Sequence, residues 1–210
     1  GVVVSNATLH NEDEIKRKDI RIGDNVKIER AGDVIPHVIE VDVSRRNKNS
    51  KPFIFPEKCP SCGSKTLKEY NKTTKKNDAV RRCTNDSYGC EKIGIEKLKH
   101  FISKEALNID GLGKKVVENF WNLKFLRKPQ DIFKLDYDKI EKLEGWGKLS
   151  VSNLKISIEN SKEVSLHRFI FSLGIRHIGS ENAKIICDYV KSISKFIELV
   201  KKKQFYKFLN

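Results

Sequence analysis

The sequence predicts a multi-domain chain: a partial β-barrel segment over residues 1–54, a small cysteine-held module over 55–91, and an all-α domain over 92–210. Three observations carry this. Apolar–polar alternation is confined to the first segment, four cysteines fall in two close pairs in the second, and three glycine pairs each open an amphipathic run in the third.

In the first segment, Val2–Val4 is a short apolar run. Asp24–Arg30 alternates as a half-buried strand does. Ala31-Gly32-Asp33 is a turn signal, and Val34–Val43 is a second alternating stretch in which Pro36 marks an edge or bulge. Ala7–Ile22 reads as a polar, partly helical insert. Two strands are too few for a barrel, so the segment reads as the back part of a small β-domain.

Cys59, Cys62, Cys83 and Cys90 can converge on one tetrahedral ion. Thiolate sulfur suits Zn²⁺, which imposes no d-electron geometry of its own. A disulfide framework needs an oxidising compartment, and nothing in the sequence points to one. The chain opens with Gly-Val-Val-Val, without the parts of a secretory leader, and its apolar stretches are too short or interrupted to span a bilayer. A cytoplasmic setting without a membrane partner is expected. A redox C-x-x-C usually opens a helix, whereas Pro60 and Gly63 make this one a turn. Structural zinc is therefore expected, folding a segment with almost no core and orienting what flanks it. Lys72–Asp78 reads as a solvated hairpin tip, with Ala79–Arg82 leading as a strand into Cys83. Cys187 sits at a helical core position and reads as a buried, inert thiol.

The third segment is periodic at three- and four-residue steps, as in Ile93, Leu98, Phe101 and Ile102. Its glycine pairs are Gly111/Gly113, Gly145/Gly147 and Gly174/Gly179. They precede runs at Lys114–Trp121, Lys148–Ile158 and Ser180–Val190, an internal repeat of helix, tight turn and helix. The pattern is that of a helix-hairpin-helix. Glycine opens backbone angles closed to other residues and lets main-chain N–H groups approach a phosphate. Leu112, Trp146 and Ile178 would plug the turns, and Lys114, Lys115 and Lys148 would add mobile charge. Arg176 and the turn residue His177 lie in the third turn, and His100 reads as packing or capping rather than catalytic. An ordinary helix–helix turn with a glycine C-cap is the alternative for any single copy.

The net charge of +14 suggests a polyanion, nucleic acid first. Residues 1–54 carry +1, residues 55–91 carry +3 and residues 92–210 carry +10, so most of the field belongs to the glycine-turn domain. Such contacts bind backbone rather than base edges. A stand-alone zinc-containing nucleic-acid-binding module remains the alternative reading.

Val4-Ser-Asn-Ala-Thr-Leu-His-Asn11, Asp19-Ile-Arg-Ile-Gly-Asp24 and Arg30-Ala-Gly-Asp-Val-Ile-Pro36 resemble the OB-fold domain of bacterial NAD-dependent DNA ligases. Cys59–Cys90 resembles that family's four-cysteine zinc finger, and His100–Gly113 and Leu173–Gly179 resemble its helix-hairpin-helix domain. The resemblance implies part of an enzyme that seals nicks between 5′-phosphate and 3′-hydroxyl in duplex DNA, for DNA replication and repair. In the family, a lysine of a K-x-D-G motif takes AMP from NAD⁺. No such string occurs here, the nearest being Lys134-Leu-Asp-Tyr137. NAD and Mg²⁺ would then act only through a nucleotidyltransferase domain outside this sequence, a BRCT domain is also absent, and the chain alone is expected to be inactive. The resemblance turns Arg30, Val34 and Ile35 toward nicked duplex, gives Asn6, His10 and Asn11 a mainly structural role, and sets the glycine turns on the minor-groove backbone.

Overall fold

The computed structural model describes residues 3–30, 35–71, 74–85 and 87–202. The chain forms two compact units, Gly1–Asn85 and Asp86–Asn210.

The first unit begins its regular structure with α1 (Glu12–Arg17). Asn11 caps it, its side-chain oxygen accepting from the N–H groups of Asp13 and Glu14. Acidic residues fill the first turn and basic ones the last, which suits the helix dipole. Six residues do not hold a helix alone. Here Glu12 anchors it: almost wholly buried, it pairs with Arg81 at 2.9 Å and Lys16 at 2.8 Å. Asp13 meets Lys68 at 2.6 Å.

β1 (Val26–Glu29) and β2 (His37–Val41) form an antiparallel ribbon, with a bulge between Lys27 and Ile28. Pro36 stands just before β2, where its missing N–H is harmless, and its carbonyl accepts from Thr8. The half-buried strand expected at Asp24–Arg30 is corrected: all four residues of β1 are exposed. A two-stranded ribbon brings no second layer against β1, so alternation there has nothing to bury. Val38 of β2 is the buried position. The turn expected at 31–33, and the start of the 2–4 apolar run, lie outside the described residues. Asp24, 1% exposed at its side chain, is gripped by Arg46, which also reaches Asp19.

β3 (Thr66–Asn71) and β4 (Lys76–Cys83) make a second antiparallel hairpin. The loop expected over 72–78 is shorter than its composition suggested. Lys76 pairs with Asn71 and Asn77 with Tyr70, so the polar run continues as strand. A ribbon wet on both faces accepts polar residues that would be wrong in a packed sheet.

The Arg81 guanidinium, then the Lys16 ammonium, hold the Glu12 carboxyl near 2, well below its usual 4.5. The folded form thus binds fewer protons than the unfolded form between these values. The contribution to stability is complete above about 4.5 and fades as pH falls toward 2. Glu12→Gln should lower the stability of the first unit by about 2 kcal/mol at neutral pH, the scale of charged hydrogen bonds. In thermal melts followed by circular dichroism, the gap between parent and variant should close progressively below pH 4.5. A constant gap down to pH 2 would show that Glu12 contributes by shape alone.

The second unit is helical: α2 (Glu91–Phe101), α3 (Lys114–Asn122), α4 (Pro129–Ile132), α5 (Tyr137–Glu141), α6 (Lys148–Asn160), α7 (Leu166–Ser172), α8 (Ser180–Val190) and α9 (Ile193–Lys201). The runs expected at 114, 148 and 180 begin at those residues. One core gathers around Leu98, Phe120, Ile140 and Leu154 of α2, α3, α5 and α6. A second gathers around Ile170, Ala183, Ile186 and Phe196 of α7, α8 and α9. Two side chains link the regions. His100 Nε2 lies 2.8 Å from the Phe171 carbonyl, and Arg168 donates to the carbonyls of Ala106 and Lys104. His100 therefore packs, as its sequence context suggested. Gly94, mid-α2, faces the Trp121 ring so closely that a Cβ would lie 2.4 Å from it. Cys187 is half-buried against the second core rather than fully buried, because its position in α8 is at the margin of the packed face.

Candidate metal centre and nucleic-acid interface

Local hydrogen bonds shape the cysteine cluster. Cys59 N donates to Ser64 O at 2.7 Å and Gly63 N to Cys59 O at 2.8 Å, closing a tight turn in which Gly63 takes φ +72°. Cys83 ends β4, opposite Thr66. Cys90, 1% exposed, is the N-cap residue of α2, and its side chain makes no capping bond to the helix. The four sulfurs lie within 4.8 Å of one another, with Cys62 and Cys83 3.5 Å apart. Metal–sulfur bonds of about 2.3 Å put tetrahedral ligands roughly 3.8 Å apart, so the group fits one Zn²⁺ after small adjustments. Burial, then the thiols around it, push the Cys83 thiol up to about 12. Gathered thiolates repel one another, and a dication reverses that balance by taking the place of the protons.

The glycine turns are built from within the helical unit. In the first, Asp110 N donates to Ser157 Oγ of α6 at 2.7 Å, Gly111 takes φ +89°, and Leu112 is buried. In the second, Gly145 takes φ +79° and Trp146 packs half-buried on Phe120, ring centres 5.6 Å apart. Trp146 is thus a plug. In the third, Gly174 and His177 take φ +59° and +67°, Ile178 is buried, and Asn182 Nδ2 donates to the His177 carbonyl.

The second glycine of each pair differs from the first. Gly113, Gly147 and Gly179 are the N-cap residues of α3, α6 and α8, with φ −63°, −154° and −79°. These are backbone angles open to any residue. A Cβ at any of the three would meet nothing within 4 Å. Neither conformation nor packing among the described residues explains the absence of a side chain there. Serine or aspartate would cap the helix better. Lys114, Lys115, Lys148, Arg176 and His177 are all exposed beside these turns.

Of the residues expected to face nucleic acid in the first unit, Arg30 is exposed, Ile35 is 70% exposed, and Val34 lies outside the described residues. Sequence reading missed Ser157 and Asn182, which hold the first and third turns. Asn182, three residues past Gly179, was open to detection. Ser157, 47 positions from its partner, was not.

The family model described as the NAD-dependent DNA ligase OB-fold domain matches residues 1–50. A protein named DNA ligase from Pelagibacter ubique is 70% identical over 199 residues, covering 95% of this chain and 29% of its own length. Proteins of the same name from Xanthobacter autotrophicus and Neorickettsia sennetsu are 48% and 47% identical, over 88% and 94% of this chain and 26% and 29% of their own lengths. These likenesses define the class as DNA ligase. The OB-fold match narrows the class, and the chain belongs to the bacterial NAD-dependent DNA ligases. It spans less than a third of the curated relatives it matches. No helix among the described residues is long and apolar enough to cross a membrane.

Proposed function

We propose that this chain is the DNA-gripping portion of an NAD-dependent DNA ligase, the enzyme that seals 5′-phosphate/3′-hydroxyl nicks in duplex DNA. On this reading residues 92–210 are a helix-hairpin-helix domain and the four cysteines hold structural Zn²⁺. The adenylated lysine, NAD and Mg²⁺ belong to a nucleotidyltransferase domain elsewhere in the protein. The carrying observation is the open, unstrained glycine at the cap of α3, α6 and α8. Glycine leaves the first N–H groups of each helix clear for a phosphate oxygen to approach, where the helix dipole favours an anion. Exposed Lys114, Lys115 and Lys148 add charge at two of the three turns. Arg30 and Ile35, both exposed, are a separate proposed contact within the first unit.

Backbone contacts release counterions, so affinity for nicked duplex should fall steeply with salt and depend little on sequence. With about four phosphates contacted, affinity should drop roughly a hundredfold between 50 and 200 mM salt. Fluorescence anisotropy with labelled nicked duplex measures this. Salt-independent binding, or tighter binding to structured RNA at matched salt, would defeat the reading.

A further inference from the structure

The cysteine module carries a cationic cleft lined by none of the four cysteines. Lys58 and Lys65 are cross-strand neighbours in an isolated antiparallel bridge beside the Cys59–Ser64 turn. The flanking hydrogen bonds, Cys59 N to Ser64 O and Thr66 N to Glu57 O, make them a non-hydrogen-bonded pair. In that arrangement the Cα atoms approach to about 4.5 Å and the side chains share one face. Like charges directly opposite destabilise a ribbon.

The neighbouring like-charge pair, Lys68 and Arg81, is handled differently. Asp13 and Glu12 neutralise it at 2.6 Å and 2.9 Å. Lys58 and Lys65 are exposed, and neither makes an ion pair among the described residues. Both line a cleft of about 490 Å³ with Lys68, Arg81, Glu57 and Gly63. Gly63 leaves its side of the cleft open, since a Cβ there would meet nothing within 4 Å. Four cationic residues and one carboxylate thus line one space, and two of the cations, Lys58 and Lys65, pair with no carboxylate among the described residues.

We propose that this cleft is a phosphate-group site, through which the cysteine module takes a phosphodiester of the DNA backbone in addition to the glycine turns. The proposal rests on the DNA-gripping reading for its source of phosphate, while the site's chemistry stands on the two lysines. An oxygen seated between the ammonium groups relieves their repulsion and accepts from both, the role lysine plays as a mobile point charge.

The test compares the zinc-loaded 210-residue chain with Lys58→Gln, Lys65→Gln and the double variant, metal content being checked for each. The double variant should bind nicked duplex about three- to tenfold more weakly at 100 mM salt, with the slope of log affinity against log salt shallower by about one to two. Without DNA at low salt its melting temperature should rise, because the repulsion is gone. Affinity within twofold of the parent and an unchanged slope overturn the site as a DNA contact. A parent that fails to bind duplex at all instead defeats the DNA-gripping reading, and millimolar pyrophosphate then decides the site alone. Stabilisation of the parent but not of the double variant supports a site for free phosphate groups, and no difference between them overturns it.

Discussion

A chain carrying Gly113→Ala, Gly147→Ala and Gly179→Ala is expected to fold as the parent does and to lose its hold on duplex DNA. Each site has ordinary backbone angles and open space around the added methyl, so nothing among the described residues resists it. Alanine also narrows the unfolded ensemble, which offsets the slightly poorer N-cap. If these turns take phosphate as proposed, the same methyl would stand between the first N–H groups and their acceptor. A charge-assisted hydrogen bond contributes about 1.5–3 kcal/mol, so each substitution should weaken binding tenfold or more, and the triple variant a hundredfold or more. The control is Gly111→Ala with Gly145→Ala. There φ is +89° and +79°, and the strain of about 1–2 kcal/mol per site falls on stability. Melting curves and anisotropy titrations on both variants separate the effects. A triple variant that is stable and binds normally would remove the turns from the interface.

If the four cysteines hold Zn²⁺ as proposed, chelation should unfold the cysteine module. Among the described residues the β3–β4 hairpin buries little, with Thr66 its one buried residue, so packing alone cannot hold it. Structural Zn²⁺ supplies about 10–16 kcal/mol of apparent binding energy in small zinc-finger peptides. Cys83→Ser should behave like chelation, because Cys83 ends β4 opposite Thr66 and would tie the hairpin to the ion. Hydrogen exchange should show loss of protection at 66–71 and 76–83 while the helical core around Phe120 and Leu154 stays protected. Full protection of the hairpin in metal-free protein would contradict a structural metal. Because thiols must deprotonate to bind, zinc uptake should also release protons, which calorimetry in buffers of different ionisation enthalpy detects.

What the sequence revealed was local. The starts of α3, α6 and α8 were legible because glycine N-caps and a 3.6-residue period lie within one short window. The gathering of the four cysteines was legible because thiols in two close pairs admit few arrangements. Distant partners were not. Glu12 meets Arg81 across 69 positions, and no periodicity announces such a pair. The exposure of β1 was misread because alternation reports which residues could be buried, not whether a layer exists to bury them. The strand at Lys76–Asp78 was misread because its polarity matches a loop, and only cross-strand pairing distinguishes the two.

The linkage through His100 and Arg168 has a mechanical consequence. The first two glycine turns stand on one core and the third on the other, and these two side chains clasp main-chain carbonyls across the seam. If all three turns grasp the same duplex, the clasp sets the interval between grip points, as the arms of a caliper are set by its pivot. Loosening it would leave each grip intact and spoil their spacing, so the fault would surface as lost cooperation along the helix rather than at any one phosphate.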